Sequence, residues 1–276
     1  MPGQLRIGTS GWNYHHWRGP FYPADLPHSR WFEHYSRDFD TVEINNTFYQ
    51  QPEDATFDHW RDQAPAGFLY AVKANRYITH MKKLKNPRAP LERFLRGAQR
   101  LKNRLGPILY QLPPHWGKNL DRLESFVKVL PAELTHVVEF RERDWLADDT
   151  YELLSEHDVS LRVHDMLWRH PRRVTGPIVY VRFHGAGRTY GGKYRPSRLG
   201  SWGQWITEQS RRRDVFVYFN KDENAYAVCN ALGLREICTP RTGCDWPLDR
   251  AHSTRPQVSR AMKFQYLTPP SPAPAV

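Results

Sequence analysis

Eight short apolar runs, separated by segments with helical spacing, constrain the fold of this chain more than any other feature. Each run is rich in Val, Ile, Tyr and Phe, and seven of the runs end in a charged or amide residue. They begin at Leu5, Thr41, Phe68, Pro107, His136, Ser160, Ile178 and Val215. Strands that alternate with helices build a parallel sheet, and eight such units close into a barrel. We therefore predict a single (β/α)8 TIM-type barrel over residues 1–234, with the chemistry at the carboxyl ends of its strands.

The segments between the runs place apolar residues three and four positions apart, which is the spacing of an amphipathic helix. The predicted helices are Arg30–Phe39, Pro52–Gln63, Pro90–Leu105, Leu120–Leu130, Ala147–His157, Trp202–Arg213 and Glu223–Leu232. Met166–Gly176 is too short and proline-broken for a full helix, so we expect an irregular sixth unit. From about Arg235 the pattern fades, and the chain ends in PPSPAPAV. This composition predicts an irregular basic extension over 235–276 that is flexible at its end.

The composition indicates a basic protein of the size expected for one barrel. The chain has 276 residues, a net charge of +11 and a pI near 9.7, which favours anionic partners. A solvated basic surface without a dedicated partner explains the charge equally well. The three cysteines, Cys229, Cys238 and Cys244, form no CxxC pair or even-numbered framework, which is typical of a reduced, cytoplasmic protein. No signal segment opens the chain and no apolar run is long enough to span a membrane.

Polar side chains at the predicted strand ends form the candidate site. Glu43 and Asn45 are two residues apart on the second run, and Lys73 and Asn75 repeat that spacing on the third. An acid within an apolar strand is costly unless it has a partner, so Glu43 is expected to line a site or to form a buried ion pair, for example with Lys73. Glu139 and Arg182 are a second possible pair. The candidate catalytic residues are Glu43, Lys73, His80, Glu139 and His184. The candidate ligand-binding residues are Ser10, Trp12, Asn45, Arg76, Gln111, Arg141, Arg182, Tyr194 and Asn220.

Two further features leave alternatives open. The glycine-rich loop Gly185–Arg195, with three basic residues, fits the phosphate site that follows the seventh strand of many barrels, or a mobile surface loop. Glu43, Glu139, Asp165 and His184 are potential ligands for a divalent metal such as Mg²⁺ or Mn²⁺. Four basic strand-end residues share that space and offset its negative charge, and no tight ligand spacing such as HExxH is present. We therefore predict no metal or other cofactor.

The strand-end motifs together resemble those of the DUF72 (YecE-like) family of TIM-type barrels. The matching segments are Gly8–Pro23, Val42–Tyr49, Val72–His80, Tyr110–Trp116, Glu139–Trp145, RFHG with Tyr190 and Tyr194, and YFNKDENAYAVCNAL. They occur in the family's order over some five sixths of the chain, from Gln4 to Leu234. Lys221 stands where the family usually has Asn. The resemblance implies a cytoplasmic barrel with a site at its mouth, and it implies no reaction.

The residues predict a protein that binds or transforms a small anionic ligand, phosphorylated or sugar-like, by acid/base chemistry. In an isomerase, lyase or hydrolase, Glu43 or Glu139 acts as acid or base, the basic residues stabilise negative charge, and the histidines move protons. A nucleic-acid-binding or phosphodiester-cleaving protein is the first alternative, because the predicted helix Pro90–Leu105, in the third unit, carries many basic residues. These are Arg93, Arg96, Arg100, Lys102 and Arg104. A non-catalytic ligand sensor is the second alternative.

Overall fold

The computed structural model describes residues 2–165, 171–185, 192–220 and 224–239. Its eight strands are parallel and pair in the order β1-β8-β7-β6-β5-β4-β3-β2. They are β1 (Leu5–Thr9), β2 (Thr41–Ile44), β3 (Leu69–Lys73), β4 (Leu105–Gln111), β5 (His136–Glu139), β6 (Ser160–His164), β7 (Val179–Phe183) and β8 (Val215–Phe219). Every strand lies within or beside one of the eight predicted runs. The prediction of one (β/α)8 barrel is confirmed.

The barrel is nearly closed between β1 and β2. The backbone of Ser10 pairs with that of Glu43 in an isolated bridge, and Gly11 N donates to the Glu43 carbonyl oxygen at 2.9 Å. Gly8 allows this approach, because a Cβ added there would lie 2.3 Å from the Thr41 carbonyl oxygen. Gly8 is therefore required for the close packing of β1 against β2.

Helices surround the sheet. They are α1 (Trp31–Asp38), α2 (Asn46–Tyr49), α3 (Asp54–Gln63), α4 (Arg88–Ala98), α5 (Leu120–Val127), α6 (Asp148–Glu156), α7 (Pro196–Ser210) and α8 (Tyr226–Cys238). Short 3-10 segments occur at His15–Trp17, His28–Arg30, Gln99–Arg104 and Arg143–Trp145, and a π-helical turn occurs at Tyr77–Met81. The last helix continues past Leu234, where the sequence pattern faded. Between β6 and β7, residues 171–178 contain no helix, and the rest of that connection, 166–170, lies outside the described residues.

Two hydrophobic layers, one on each side of the sheet, follow from the alternation of side chains along the strands. The larger layer lies between the sheet and the helices and includes several aromatic side chains from the segment that follows β1. Tyr22 stacks on Trp31 with ring centroids 4.8 Å apart, and Trp17 is fully buried. The smaller layer fills the barrel interior. Its members are Ala71, Leu109, Val137, Ile178, Tyr180, Phe216 and Tyr218.

The inward-facing series continues beyond this apolar layer into polar side chains at the strand ends. On β3, for example, Ala71 belongs to the interior layer and Lys73 follows it on the same face. The strand alternation thus places the predicted polar residues at one end of the barrel. Within the described residues, no helix is both long and apolar enough to cross a membrane.

Candidate active site at the barrel mouth

Arg182, at the end of β7, is the central charge of the mouth. Its Nη2 lies 2.9 Å from Glu43 Oε1 and its Nη1 lies 2.7 Å from Glu139 Oε2. All three side chains are almost completely buried. Burial disfavours the charged guanidinium, but the two carboxylates outweigh it and hold the pKa of Arg182 above its ordinary value. One cation therefore links two carboxylates from opposite sides of the barrel. The sequence pairing of Glu139 with Arg182 agrees with this geometry, and Glu43 pairs with Arg182 instead of Lys73.

Glu139, at the end of β5, contacts two more arginines. Its Oε1 lies 2.6 Å from Arg141 Nε and 2.5 Å from Arg162 Nη2, and its Oε2 accepts from Arg162 Nε at 2.7 Å. Burial alone would raise the pKa of this carboxyl, but Arg162, Arg141 and Arg182 together hold it well below the usual range. Glu139 is therefore ionised at neutral pH, and its side chain has no exposed surface.

Glu43 has both carboxylate oxygens occupied. Its Oε1 accepts from Ser10 Oγ at 2.6 Å as well as from Arg182, and its Oε2 accepts from the Tyr180 hydroxyl at 2.6 Å. Burial and the nearby Glu43 charge raise the pKa of Tyr180 well above its ordinary value, so this hydroxyl stays a neutral donor. Ser10, predicted to bind ligand, is thus a partner of Glu43.

Gln111, at the end of β4, accepts hydrogen bonds from three basic side chains of the mouth. Its side-chain carbonyl oxygen Oε1 accepts from Lys73 Nζ at 2.9 Å, from Arg141 Nη2 at 3.0 Å and from Arg182 Nη1 at 3.3 Å. Three positively charged donors therefore point at one neutral oxygen. The Arg141 side chain is 13% exposed, so this corner reaches the surface whereas Glu43 and Glu139 do not.

Lys73, at the end of β3, lies against Phe48 with Nζ 4.0 Å from the ring centroid. Burial and the Arg182 charge lower the pKa of its amine to about 7, against a smaller opposing effect of Glu139 and Glu43. Among the residues that the structure describes, no carboxylate oxygen lies within ion-pair distance of Nζ. In the described structure Lys73 is therefore a buried amine without a carboxylate at ion-pair distance. With a pKa of about 7, about half of the Lys73 amines carry a proton at pH 7.

His80 follows Lys73 on the π-helical turn after β3. Its ring centroid lies 4.9 Å from that of Phe48, the same ring that Lys73 contacts, so the two basic groups are neighbours. Its Nδ1 is 2.9 Å from Thr79 Oγ1. Partial burial and the charges of Lys73 and Arg141 lower the pKa of His80 to about 4. Its imidazole is accordingly neutral at physiological pH and can accept a proton.

His184, which follows β7, is buried behind the arginines. Its Nε2 lies 3.3 Å from Arg162 Nη2, and burial together with Arg162 and Arg182 lowers its pKa well below the ordinary value. Its backbone N donates to Asp165 Oδ1 at 3.0 Å. The Tyr194 hydroxyl donates to Asp165 Oδ2 and accepts from Gly185 N at 2.8 Å. Tyr194, predicted to bind ligand, thus connects the segments that follow β6 and β7.

The other predicted ligand-binding residues are Trp12, Asn45, Arg76 and Asn220. Ser10, Trp12 and Asn45 line a separate cavity of about 330 Å³ beside the mouth. Trp12 packs edge-on against Phe32 with ring centroids 5.2 Å apart, and Asn45 Nδ2 donates to Asn220 Oδ1 at 3.4 Å. Arg76 is exposed. Of the loop Gly185–Arg195, residues 186–191 lie outside the described residues, as does Lys221.

Sequence reasoning missed Arg162, Tyr180 and Phe48. Arg162 sits in SLRVHD between Ser160 and His164, the same alternation that identified Glu43, so a search for any charge inside an apolar strand would have found it. Tyr180 and Phe48 carry no such signal, because aromatic residues are ordinary in strands and cores. Their roles depend on which face of the chain they occupy.

The arrangement bears on the metal alternative as well. The oxygens of Glu139 contact arginines, those of Glu43 contact Arg182, Ser10 and Tyr180, and those of Asp165 contact Tyr194, Arg198 and the His184 backbone. Among the described residues, no three His, Cys, Asp or Glu side chains gather as a metal site requires.

Comparison with known proteins agrees with the fold and the strand-end motifs. UPF0759 protein YunF of Bacillus subtilis (strain 168) is 24% identical over 274 residues, covering 84% of this chain and 94% of that protein. UPF0759 protein YecE of Escherichia coli (strain K12) is 32% identical over 116 residues, covering 42% of this chain and 43% of that protein.

Solved structures give the same result. A DUF72 family protein from Thermotoga maritima MSB8 is 29% identical, with a TM-score of 0.77, covering 84% of this chain and 98% of that one. One from Enterococcus faecalis V583, 18% identical, shares the fold with a TM-score of 0.73 over 85% and 95% of the two chains. The family model described as "Protein of unknown function DUF72" matches residues 6–253. As the strand-end motifs indicated, the chain belongs to the DUF72 family.

Proposed function

We propose that the barrel mouth binds a small anionic ligand, phosphorylated or carboxylated, at the corner formed by Lys73, Gln111 and Arg141. One observation carries the proposal: Gln111 Oε1 accepts hydrogen bonds from three cationic donors. An oxygen of an incoming anion would be a stronger acceptor for these donors than a neutral amide.

The charge balance of the mouth supports this proposal. In the described part of the cluster, the buried carboxylates of Glu43 and Glu139 are surrounded by the guanidinium groups of three arginines and by the Lys73 amine. A buried site with more cations than carboxylates is relieved when it binds an anion, because like charges repel strongly where water is excluded.

The proposed chemistry is proton transfer by Lys73 and His80. Both groups have lowered pKa values, of about 7 and about 4, and both contact Phe48. Glu43 and Glu139 were the first choice for acid and base on sequence grounds. Since both are completely buried and each carboxylate oxygen lies at ion-pair or hydrogen-bond distance from a partner, we assign them the role of holding Arg182 and Arg162 in place. His184 is a buried, neutral neighbour of Arg162.

Thermal unfolding with added phosphate tests the anion site. Inorganic phosphate should raise the Tm of the protein above its value in chloride of equal ionic strength, because a ligand that binds the folded state stabilises it. In Arg141→Gln the apparent Kd for phosphate should rise about tenfold, because a hydrogen bond to a charged group contributes roughly 1.5–3 kcal/mol. Arg37→Gln, whose side chain is exposed on helix α1, is the matched control and should keep the wild-type shift. The same Tm in phosphate and chloride, or equal shifts in both variants, would contradict the proposal.

Nucleic-acid binding remains a second candidate, with an observation of its own. A cavity of about 410 Å³ between the π-helical turn after β3 and helix α4 is lined by Tyr77, Lys82 and Arg93 among others. Tyr77 is 42% exposed, and Lys82 Nζ lies 5.5 Å from its ring centroid. An exposed ring beside cations suits a stacked base and its phosphate. The basic helix that motivated this alternative is partly neutralised, because Arg100 pairs with Asp54 and Asp58.

Anisotropy titrations with a single-stranded oligonucleotide across a salt series test this candidate. Binding through phosphates should weaken steeply as salt rises, and Tyr77→Ala should weaken it further. Lys128→Ala, which removes an exposed cation at the end of helix α5, serves as the control for a general loss of positive charge. Affinity that is insensitive to salt, or equal in the two variants, would count against nucleic-acid binding.

A further inference from the structure

Unlike Lys118 and Lys128, Lys73 has no carboxylate within ion-pair distance among the residues that the structure describes. Lys118 Nζ lies 2.7 Å from Asp149 and Lys128 Nζ lies 2.5 Å from Glu124, whereas Lys73 Nζ contacts the Gln111 amide oxygen and the Phe48 ring. A carboxylate beside an amine stabilises the protonated ammonium, which is not a nucleophile. The described groups in contact with the Lys73 amine are instead a neutral acceptor and an apolar ring, and the Arg182 guanidinium shares that acceptor. Glu139 and Glu43 act on the amine only from beyond ion-pair distance, and their effect is smaller than that of burial.

We propose that Lys73 forms an imine with the carbonyl carbon of a small anionic aldehyde or ketone. The inference rests on the proposed function, because the anion site brings the carbonyl compound to the amine. The carboxylate or phosphate of the ligand would contact Arg141 and displace the Gln111 oxygen, and Nζ would then face the carbonyl. An amine desolvated next to another cation is a recognised way of activating a lysine.

The lowered pKa of about 7 is consistent with this geometry. At pH 7 roughly half of the Lys73 amines are neutral, compared with less than about 0.1% for a lysine of ordinary pKa. A reagent that reacts only with neutral amines should therefore select this lysine over the exposed ones.

The step balances without an added oxidant or reductant. The Nζ lone pair forms a bond to the carbonyl carbon, and the carbonyl π electrons move to oxygen. The nitrogen then gives a proton to the oxygen through His80, whose neutral imidazole contacts the same Phe48 ring and is close enough to feel the Lys73 charge. A second proton on that oxygen, taken from the Nζ–H through the same imidazole, allows the C–O bond to break, releasing water and leaving the C=N bond.

Reductive trapping with glyoxylate, a small anionic aldehyde, tests the inference. The full-length protein is incubated at pH 7 with glyoxylate and cyanoborohydride, which reduces imines to stable amines. Intact mass and peptide mapping then locate the modified lysine. We expect saturable modification at Lys73 that phosphate suppresses, and a loss of most labelling in Lys73→Arg, which keeps the charge but has no primary amine. Lys128→Arg is the matched control and should label as the wild type does. His80→Gln should slow trapping at Lys73 without changing phosphate affinity.

The outcomes separate this inference from the function beneath it. If phosphate and glyoxylate both raise the Tm through Arg141 but labelling is spread over surface lysines, the anion site holds and the imine is wrong. If neither anion raises the Tm and Lys73 is not labelled, both proposals fail. Selective labelling of Lys73 that phosphate does not suppress would also contradict the inference, because the carbonyl compound would not be using the anion site.

Discussion

At the scale of single residues, Glu139 is a buried carboxylate that pairs with three arginines. Three guanidinium groups contact one carboxylate that water does not reach. Substituting Glu139→Gln keeps the shape and removes the charge, so Arg141, Arg162 and Arg182 would repel each other across a buried space. We expect the free energy of unfolding to fall by about 3–5 kcal/mol, as when one partner of a buried ion pair is removed. Chemical denaturation measures the change.

The control for this prediction is Glu124→Gln, which removes a carboxylate from an exposed i,i+4 pair with Lys128. Exposed pairs contribute little to stability, so this variant should unfold close to the wild type. A Glu139→Gln variant as stable as Glu124→Gln would mean that the arginines are not held by this carboxylate.

Lys73 gives a second prediction at this scale, in the pH dependence of stability. Its pKa is about 7 in the folded protein and about 10.4 in an unfolded chain, so between these values the unfolded chain holds a proton that the folded chain has lost. Raising the pH through this window therefore favours folding, by up to about 1.4 kcal/mol per pH unit. The advantage is absent below about pH 7, where Lys73 is protonated in both states.

Unfolding curves of the wild type and Lys73→Met between pH 6 and pH 10 measure this contribution. The charged neighbours Arg182, Glu139, Glu43 and Arg141 are the same in both proteins, so the difference isolates Lys73. The wild type should gain stability relative to the variant as pH rises from about 7. Lys128→Met should stay parallel to the wild type. If the free energies of unfolding of the wild type and Lys73→Met changed with pH in parallel, the Lys73 amine would keep an ordinary pKa.

At the scale of elements, helix α1 completes the sheet where β1 and β2 approach each other. The Tyr35 hydroxyl donates to the Thr41 carbonyl oxygen at 3.0 Å and accepts from Thr9 N at 3.1 Å, so one side chain supplies bonds that a ladder would otherwise make. Tyr35→Phe keeps the ring, which stacks on Phe39, and leaves both buried backbone groups without this partner. The expected loss is about 1–3 kcal/mol of unfolding free energy.

Hydrogen exchange and denaturation together check the Tyr35 prediction. The Thr9 amide should exchange faster in Tyr35→Phe than in the wild type, because its hydrogen bond is gone. Tyr110→Phe is the matched control, since in the described part of the chain that buried hydroxyl has one hydrogen-bond partner, His136 Nδ1, at 3.3 Å. If the two variants lost equal stability and Thr9 exchange were unchanged, the hydroxyl of Tyr35 would not be joining the strands.

The elements were largely predictable from the sequence, and the contacts between them were not. Eight β-rich runs and helical spacing fix strands and helices because each pattern is local. Strand alternation also placed Glu43, Lys73, Glu139 and Arg182 at one end of the barrel. Which oxygen binds which nitrogen depends on distances across the barrel between residues far apart in the chain. For that reason the sequence left open whether Glu43 lines the site or pairs with a residue such as Lys73. In the structure Glu43 pairs with Arg182.

At the scale of the whole molecule, the charge of the site and the charge of the chain have the same sign. The net charge is +11, and the cluster inside the mouth holds more cations than carboxylates. A positive surface attracts anions over distances of about one Debye length, roughly 8–10 Å at moderate salt. The overall charge therefore increases encounters with an anionic ligand, while the buried donors around Gln111 determine which anion stays.

The extent of the folded unit gives a last prediction at this scale. The compact unit that contains the site covers Met1–Pro240, whereas the sequence pattern placed the end of the barrel at Leu234. The residues between these limits carry contacts: Cys238 is buried against α7, where its Sγ lies 3.7 Å from the Gly203 carbonyl oxygen, and Arg235 donates to the Asp38 carbonyl oxygen. A chain ending at residue 240 should keep the full-length free energy of unfolding. A chain ending at residue 234 should lose about 2–5 kcal/mol, as when a large buried side chain is deleted. Chemical denaturation of the two truncated proteins and the full chain measures these differences. Equal stability of the three proteins would place the end of the cooperative unit at Leu234. A loss of stability already in the chain that ends at residue 240 would place that end further along the chain.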